Sequence, residues 1–158
     1  MSINAKNSAK FNGPEQATRK NEIWRIEFAR IDIPGRPTVL AALDVFSRLP
    51  VVLDTTTGKP EDIVLKLDEA GRRSAYPERL WLDHGFEFKS QKVREWADLR
   101  GVELVFGAPF QKRNVVERFF RQLSRFVRDN GLTNPGDLKR KLAEWHQAYE
   151  EAAAAAIN

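Results

Sequence analysis

The chain has 158 residues, 42% hydrophobic and 30% charged, with 26 Lys+Arg against 22 Asp+Glu; this is ordinary composition for one globular domain and excludes disorder throughout. It has no cysteine and two histidines, which excludes a disulfide framework, thiolate zinc sites and cysteine nucleophiles and leaves carboxylates to carry any metal chemistry. No apolar stretch reaches the length of a membrane span, and the start lacks the apolar centre of a secretory signal, so the sequence predicts a soluble, cytoplasmic protein with no membrane partner.

Residues 1–21 are polar and aperiodic and include Asn12-Gly13-Pro14, the pattern of a flexible arm or linker. The run from Ile23 to Ile33 is apolar at Trp24, Ile26 and Phe28 and partly so at Ile23, Ala29 and Ile31, which predicts an inner strand. Pro34-Gly35 is a turn signal. The following Val- and Leu-rich stretch gives two more strands, parted near Phe46-Ser47-Arg48, and three sequential strands predict an antiparallel meander.

After Gly58 the texture changes. Pro60 opens a segment in which Ile63, Val64 and Leu67 share a helical face, and Leu80-Trp81-Leu82 then reads as a short strand ending at Asp83. Ser90 is placed to cap a helix through Arg100, with Gly101 as its stop. A fifth strand follows at residues 102–106. Asn114 is placed to cap a helix carrying the apolar stripe Val116, Phe119, Phe120, Leu123 and Val127, and Asn134-Pro135 starts a last helix using Leu138, Leu142, Trp145 and Tyr149. The domain is expected over residues 22–150, with 151–158 as an Ala-rich helix end or tail.

The charge is uneven. Between Lys112 and Lys141 nine basic residues face three acidic ones, while the rest of the chain is 17 basic against 19 acidic. A concentrated excess of this kind predicts a polyanion partner, against the plainer reading of a solvated helix face.

Three carboxylates stand where structure alone would not choose them. Glu27 lies inside the first strand, where Glu is disfavoured and costly to bury without a compensating cation; the plain alternative is a solvent-facing position at a sheet edge. Asp83 closes a strand in front of His84-Gly85, at the end where ligands gather in α/β sheets, and equally suits a turn that bonds its own backbone. His84 reads as a loop residue. Glu117 falls at the third helical position after Asn114 and suits a capping box, yet it borders the basic stripe Arg118, Arg121, Arg125 and Arg128. A divalent cation bridging that carboxylate to a phosphate would reconcile the two. Asp32 and Asp44 read as structural.

Taken together, W-R-I-E at Trp24–Glu27, D-V-F-S-R at Asp44–Arg48, L-D-H-G-F-E-F at Leu82–Phe88 and N-V-V-E-R-F-F-R-Q-L at Asn114–Leu123 resemble the DDE transposase and retroviral-integrase superfamily, most closely the core of Mu-type bacterial transposases. The match runs from about Asn21 to Phe126. It implies an α/β, RNase H-like fold: a mixed five-stranded sheet, three strands antiparallel and two parallel, with helices on both faces. It also implies a polynucleotidyl transferase for DNA transposition or integration, in which Glu27, Asp83 and Glu117 are catalytic and hold two Mg²⁺ (or Mn²⁺) ions. Lys112, Arg113, Arg121 and Arg125 would contact DNA phosphates, and the chain would work as a homo-oligomer or with a partner transposase subunit. Glu117 lies 34 positions after Asp83 and both match the family's residue types, whereas Glu27 stands where the family has Asp. The alternative reading is therefore a catalytically degenerate DNA-binding or regulatory subunit; a third is an RNase H-like nuclease acting on RNA–DNA hybrids or junctions. The separate end-recognition domains of full transposases do not fit within this length, which suits an excised core or a short relative.

Overall fold

The computed structural model describes residues 17–82, 90–106 and 115–157, with only the backbone for 115–117 and 156–157. Five strands, β1 (Ile23–Arg30), β2 (Thr38–Asp44), β3 (Pro50–Thr56), β4 (Arg79–Leu82) and β5 (Glu103–Phe106), form one sheet in the order β3-β2-β1-β4-β5. The helices described are α1 (Pro60–Arg73), α2 (Gln91–Arg100), α3 (Val115–Asp129) and α4 (Pro135–Ile157). β1 pairs antiparallel with β2, and β2 with β3, whereas β1–β4 and β4–β5 are parallel. The mixed five-stranded architecture expected from the sequence is the one observed.

Local chemistry accounts for the element ends. β1 stops at Arg30, three residues short of the run anticipated from its apolar residues, because the chain turns: the Ile31 amide donates to the Pro37 carbonyl and the Arg36 amide to that of Ile33. Gly35 and Arg36 both take positive φ there. α1 begins with Pro60 at its first turn and carries Glu61 and Asp62 there, with Arg72 and Arg73 in its last, a charge order that suits the helix dipole. Ser90 caps α2 by accepting from the Val93 amide, and Gly101 closes it in the left-handed region. Asn134 accepts from the Asp137 amide at 2.9 Å at the start of α4, which remains helical through the alanine tract to Ile157.

The two faces of the sheet bury separate cores. Trp24, Ile26, Leu40 and Leu80 point to α1 and α2, meeting Ile63, Leu67, Val93 and Trp96. Val39, Ala41, Leu43 and Leu53 point the other way, to Phe119, Leu123 and Val127 of α3 and Leu138 and Leu142 of α4. Strand residues alternate faces, so one β2 run supplies both cores. Each fully buried leucine contributes about 2 kcal/mol, and both layers hold several. α1 also fits closely on the loop that follows it: a Cβ at Gly71 would collide with the Tyr76 ring.

Residues 17–21 are tied to this core. Glu22 is buried and accepts from the Thr18 amide at 3.1 Å and hydroxyl at 2.9 Å, and Trp24 donates its indole N–H to Asn21. Arg19 pairs with Glu78. The Thr18 amide, first among the influences on Glu22, holds its carboxyl below the usual range.

Candidate carboxylate site and basic face

β1 is the central strand of the sheet, so Glu27 is not at an edge. Its cross-strand partner on β2 is Ala41, and those of Arg25 and Ala29 are Leu43 and Val39. Cross-strand partners share a face, and these β2 residues belong to the core under α3 and α4. Glu27 therefore lies on the α3/α4 face of the sheet, with its side chain 27% exposed.

The cation needed beside a strand-centred glutamate is Arg25. It lies two residues earlier on the same face, its side chain is 2% exposed, and its Nη2 approaches Glu27 Oε1 at 3.5 Å. The guanidinium sits 4.4 Å from the centre of the Trp81 ring, and Trp81 is the β4 residue in register with Arg25. Cation–π contact with a desolvated guanidinium is worth on the order of 2 kcal/mol. Arg25 thus joins the two parallel strands, and Trp81 packs beside Ile23, Val45 and Val105. Sequence reasoning passed over Arg25; the one signal available was a cation alternating with a glutamate inside an otherwise apolar strand.

Asp83 follows the last residue of β4 and lies outside the described residues, as do His84, Lys112, Arg113 and Asn114. Glu117 falls in the first turn of α3, but its side chain lies outside the described residues. α3 packs against β1, so the helix carrying Glu117 and the strand carrying Glu27 are neighbours. Arg121 and Arg125 are on the exposed side of α3 with Arg118 and Arg128, while Phe119, Leu123 and Val127 are buried. That places the basic stripe on solvent, away from the core. Among the described residues there is no group of three or more His, Cys, Asp or Glu able to hold a metal.

Of the other two acids weighed from the sequence, Asp44 serves the fold and Asp32 stands on the surface. Asp44 is fully buried and accepts from the Asn21 and Ser47 amides, each at 2.8 Å, closing the β2–β3 turn. Asp32 is almost fully exposed and lies 4.0 Å from Arg36. Among the described residues no helix is long and apolar enough to cross a membrane.

Comparison with known proteins converges on this architecture. Residues 17–112 match the family described as integrase core domain. A protein of an insertion element from Burkholderia multivorans, named "Insertion element IS407 uncharacterized 31.7 kDa protein", is 27% identical over 137 residues, covering 83% of this chain and 50% of that protein. The chain thus spans about half the length of the curated relative it matches. The catalytic core domain of BIV integrase superposes with a TM-score of 0.63 at 16% identity, over 87% of this chain and 99% of that one. A chain of the simian T-cell lymphotropic virus intasome in complex with PP2A regulatory subunit B56 gamma gives a TM-score of 0.62 at 15% identity, over 80% of this chain and 48% of that one. At such identities the structural matches establish the fold, which is RNase H-like.

Proposed function

The chain belongs to the integrase core domain family, within the DDE transposase and integrase superfamily, and from that premise we propose that it is the core of a polynucleotidyl transferase that cleaves and joins DNA during transposition or integration. The observation that carries this reading is Glu27: a part-exposed carboxylate in the middle of the central strand, on the face covered by the helix that bears Glu117. A carboxylate so placed has no part in the apolar core, and it sits where the family's first acid is expected.

Glu27 fits a hard divalent cation, since a part-open carboxylate is the oxygen donor that Mg²⁺ takes. Glu27, Asp83 and Glu117 would hold Mg²⁺ or Mn²⁺. The ion, when bound, supplies charge stabilisation to the oxygens displaced at the scissile phosphate. The protein's own share is placement and electrostatics. β1 pairs Glu27 with Ala41 of β2 and is held by β4 as far as Arg25, so the carboxylate is carried on a rigid element rather than on a loop. Arg121 and Arg125, with Lys112 and Arg113, would neutralise phosphates along the duplex, which positions DNA without reading its sequence. DNA is thus the expected partner, in a homo-oligomer or beside another transposase subunit within the cytoplasm.

One observation favours the second reading, a DNA-binding or regulatory subunit without chemistry: the carboxylate at the first acidic position is a glutamate paired with a buried arginine. Glutamate is longer than aspartate by one methylene, and displacement of a reacting group by about 1 Å can cost on the order of a hundredfold in rate. Mn²⁺ soaked into crystals and located by anomalous scattering decides between the two. A peak beside Glu27 that Glu117→Gln abolishes supports the transferase; no ordered Mn²⁺ at saturating concentration supports the subunit.

A further inference from the structure

The Arg25–Glu27 pair bears on how many cations the carboxylate can serve. Four observations meet there. The guanidinium is almost wholly buried, it lies against the face of Trp81, it approaches Glu27 Oε1 at 3.5 Å, and it shares a sheet face with that glutamate on the central strand. A guanidinium keeps its charge at any pH a protein meets, and desolvating it is costly unless attraction compensates. The ring and the carboxylate contribute to that attraction. Arg25 is therefore not a surface cation that swings away when another ion arrives; its position is set by Trp81 and by the two strands it bridges.

A metal ion approaching Glu27 meets a fixed positive charge already beside one of the two carboxylate oxygens. Two divalent ions flanking one carboxylate would draw on both oxygens, and the guanidinium competes directly for Oε1. Like charges a few ångströms apart in a partly dry site repel by several times the thermal energy. We propose that Arg25 is a positioning residue for Glu27 that stands in for one divalent cation, so that this chain takes up a single Mn²⁺ at Glu27 rather than a pair. This rests on the reading of Glu27 as a metal ligand given above, and it assigns to Arg25 a role that the acids alone do not reveal. The glutamate then has a reason to be longer than aspartate: its extra methylene lets the carboxylate satisfy the arginine and the metal from one backbone position.

The test is a calorimetric Mn²⁺ titration of the full chain, with the bound fraction checked by Mn²⁺ electron paramagnetic resonance, on the wild type, Arg25→Gln and Arg25→Lys. The wild type is expected to bind one Mn²⁺. Arg25→Gln is expected to bind a second ion or to tighten the first by about tenfold or more, and Arg25→Lys, which keeps the charge, to stay close to the wild type. Two ions in the wild type would overturn the inference and leave the transferase reading intact. No binding by the wild type would overturn that reading as well. Unchanged stoichiometry and affinity in a folded Arg25→Gln protein would reduce Arg25 to a structural cation. Should Arg25→Gln fail to fold, the wild-type count still decides, and Trp81→Leu, which removes the surface that pins the guanidinium, is expected to tighten Mn²⁺ in the same direction; an unaltered affinity there sinks the proposal.

Discussion

Asp68 shows what a carboxylate does when it serves the fold. It lies on α1 and accepts from the Trp96 indole at 3.0 Å, the Tyr76 hydroxyl at 3.0 Å and Arg100 Nε at 2.9 Å, with Arg72 at 3.3 Å. Its side chain is 17% exposed. Burial pushes its pKa up, but the hydrogen bonds from Trp96, Arg100 and Tyr76 outweigh burial and hold it below the usual carboxylate range. Tyr76, by burial first and then by this bond, is raised in turn. Asp68→Asn keeps the shape, loses the charge and presents a donor to some of these donors, so a loss of about 2 kcal/mol in urea unfolding is expected. The sign with pH follows. Because the folded value is depressed, the contribution is complete above the unfolded value and fades as pH falls through the folded one; the gap between wild type and variant should therefore narrow in acid. A gap constant from neutral pH to pH 3 would mean that packing, not charge, holds α1 to α2. Apart from Arg72 four residues on, these partners were not legible in the sequence, since they lie 8, 28 and 32 residues away along the chain. Glu27 was legible for the opposite reason: its misfit is local, a charge inside an apolar strand.

At the scale of elements, the exposed edge of the sheet explains the burial of His146. β3 is an edge strand, and an open edge invites pairing with another chain unless something covers it. His146 of α4 places Nε2 3.0 Å from the Pro50 carbonyl, and Arg73 of α1 donates to the Val51 carbonyl at 3.2 Å. A ring nitrogen facing a carbonyl carries the hydrogen. Asp54, farther along β3, takes Lys139 at 2.8 Å and Lys66 at 3.9 Å. Burial, the largest influence, holds the pKa of His146 below the usual histidine value, although Glu150 at 3.4 Å and Asp54 favour its charged form, which Arg73 opposes. The unfolded chain then binds the proton more readily, so stability contributed by the neutral ring is complete above about 6.5 and falls as pH drops toward the folded value. His146→Gln, which can keep a donor toward Pro50, is expected to be less sensitive to pH between 7 and 5 in thermal unfolding. An equal pH dependence in both proteins would assign the effect to carboxylates instead. Helical periodicity had placed α4 from Leu138, Leu142, Trp145 and Tyr149, and these residues do face the core or its margin. It could not place His146, because edge coverage is a property of which strand ends the sheet, and strand order is not written in local pattern.

For the whole molecule the decisive feature is that apolar periodicity and charge run on different sides of the same helix. Phe119, Leu123 and Val127 anchor α3 to the sheet while Arg118, Arg121, Arg125 and Arg128 face solvent. Both stripes could be read directly, because three- and four-residue steps fix faces whatever the tertiary context. The mixed sheet was legible too, from three sequential strands followed by alternating helix and strand. The site was legible only as far as residue type: Glu27 could be singled out, but its neighbour Arg25 acquires meaning only when β4 brings Trp81 alongside β1. The basic stripe has a consequence that does not depend on how many metals bind. Each arginine that neutralises a phosphate releases counterions, and the logarithm of the association constant then falls with the logarithm of salt by about 0.9 per contact. If Arg121 and Arg125 each meet one phosphate, the double variant Arg121→Gln/Arg125→Gln should bind duplex DNA more weakly, with a salt slope shallower by roughly 1.8. Both side chains are exposed, so the variant should unfold at the wild-type midpoint, and fluorescence anisotropy between 50 and 200 mM salt would read the slope, those limits being about the range in which such contacts lose most of their strength. Weaker binding at an unchanged slope would show that these arginines act through something other than phosphate, and an unchanged affinity would move the DNA path off α3 altogether.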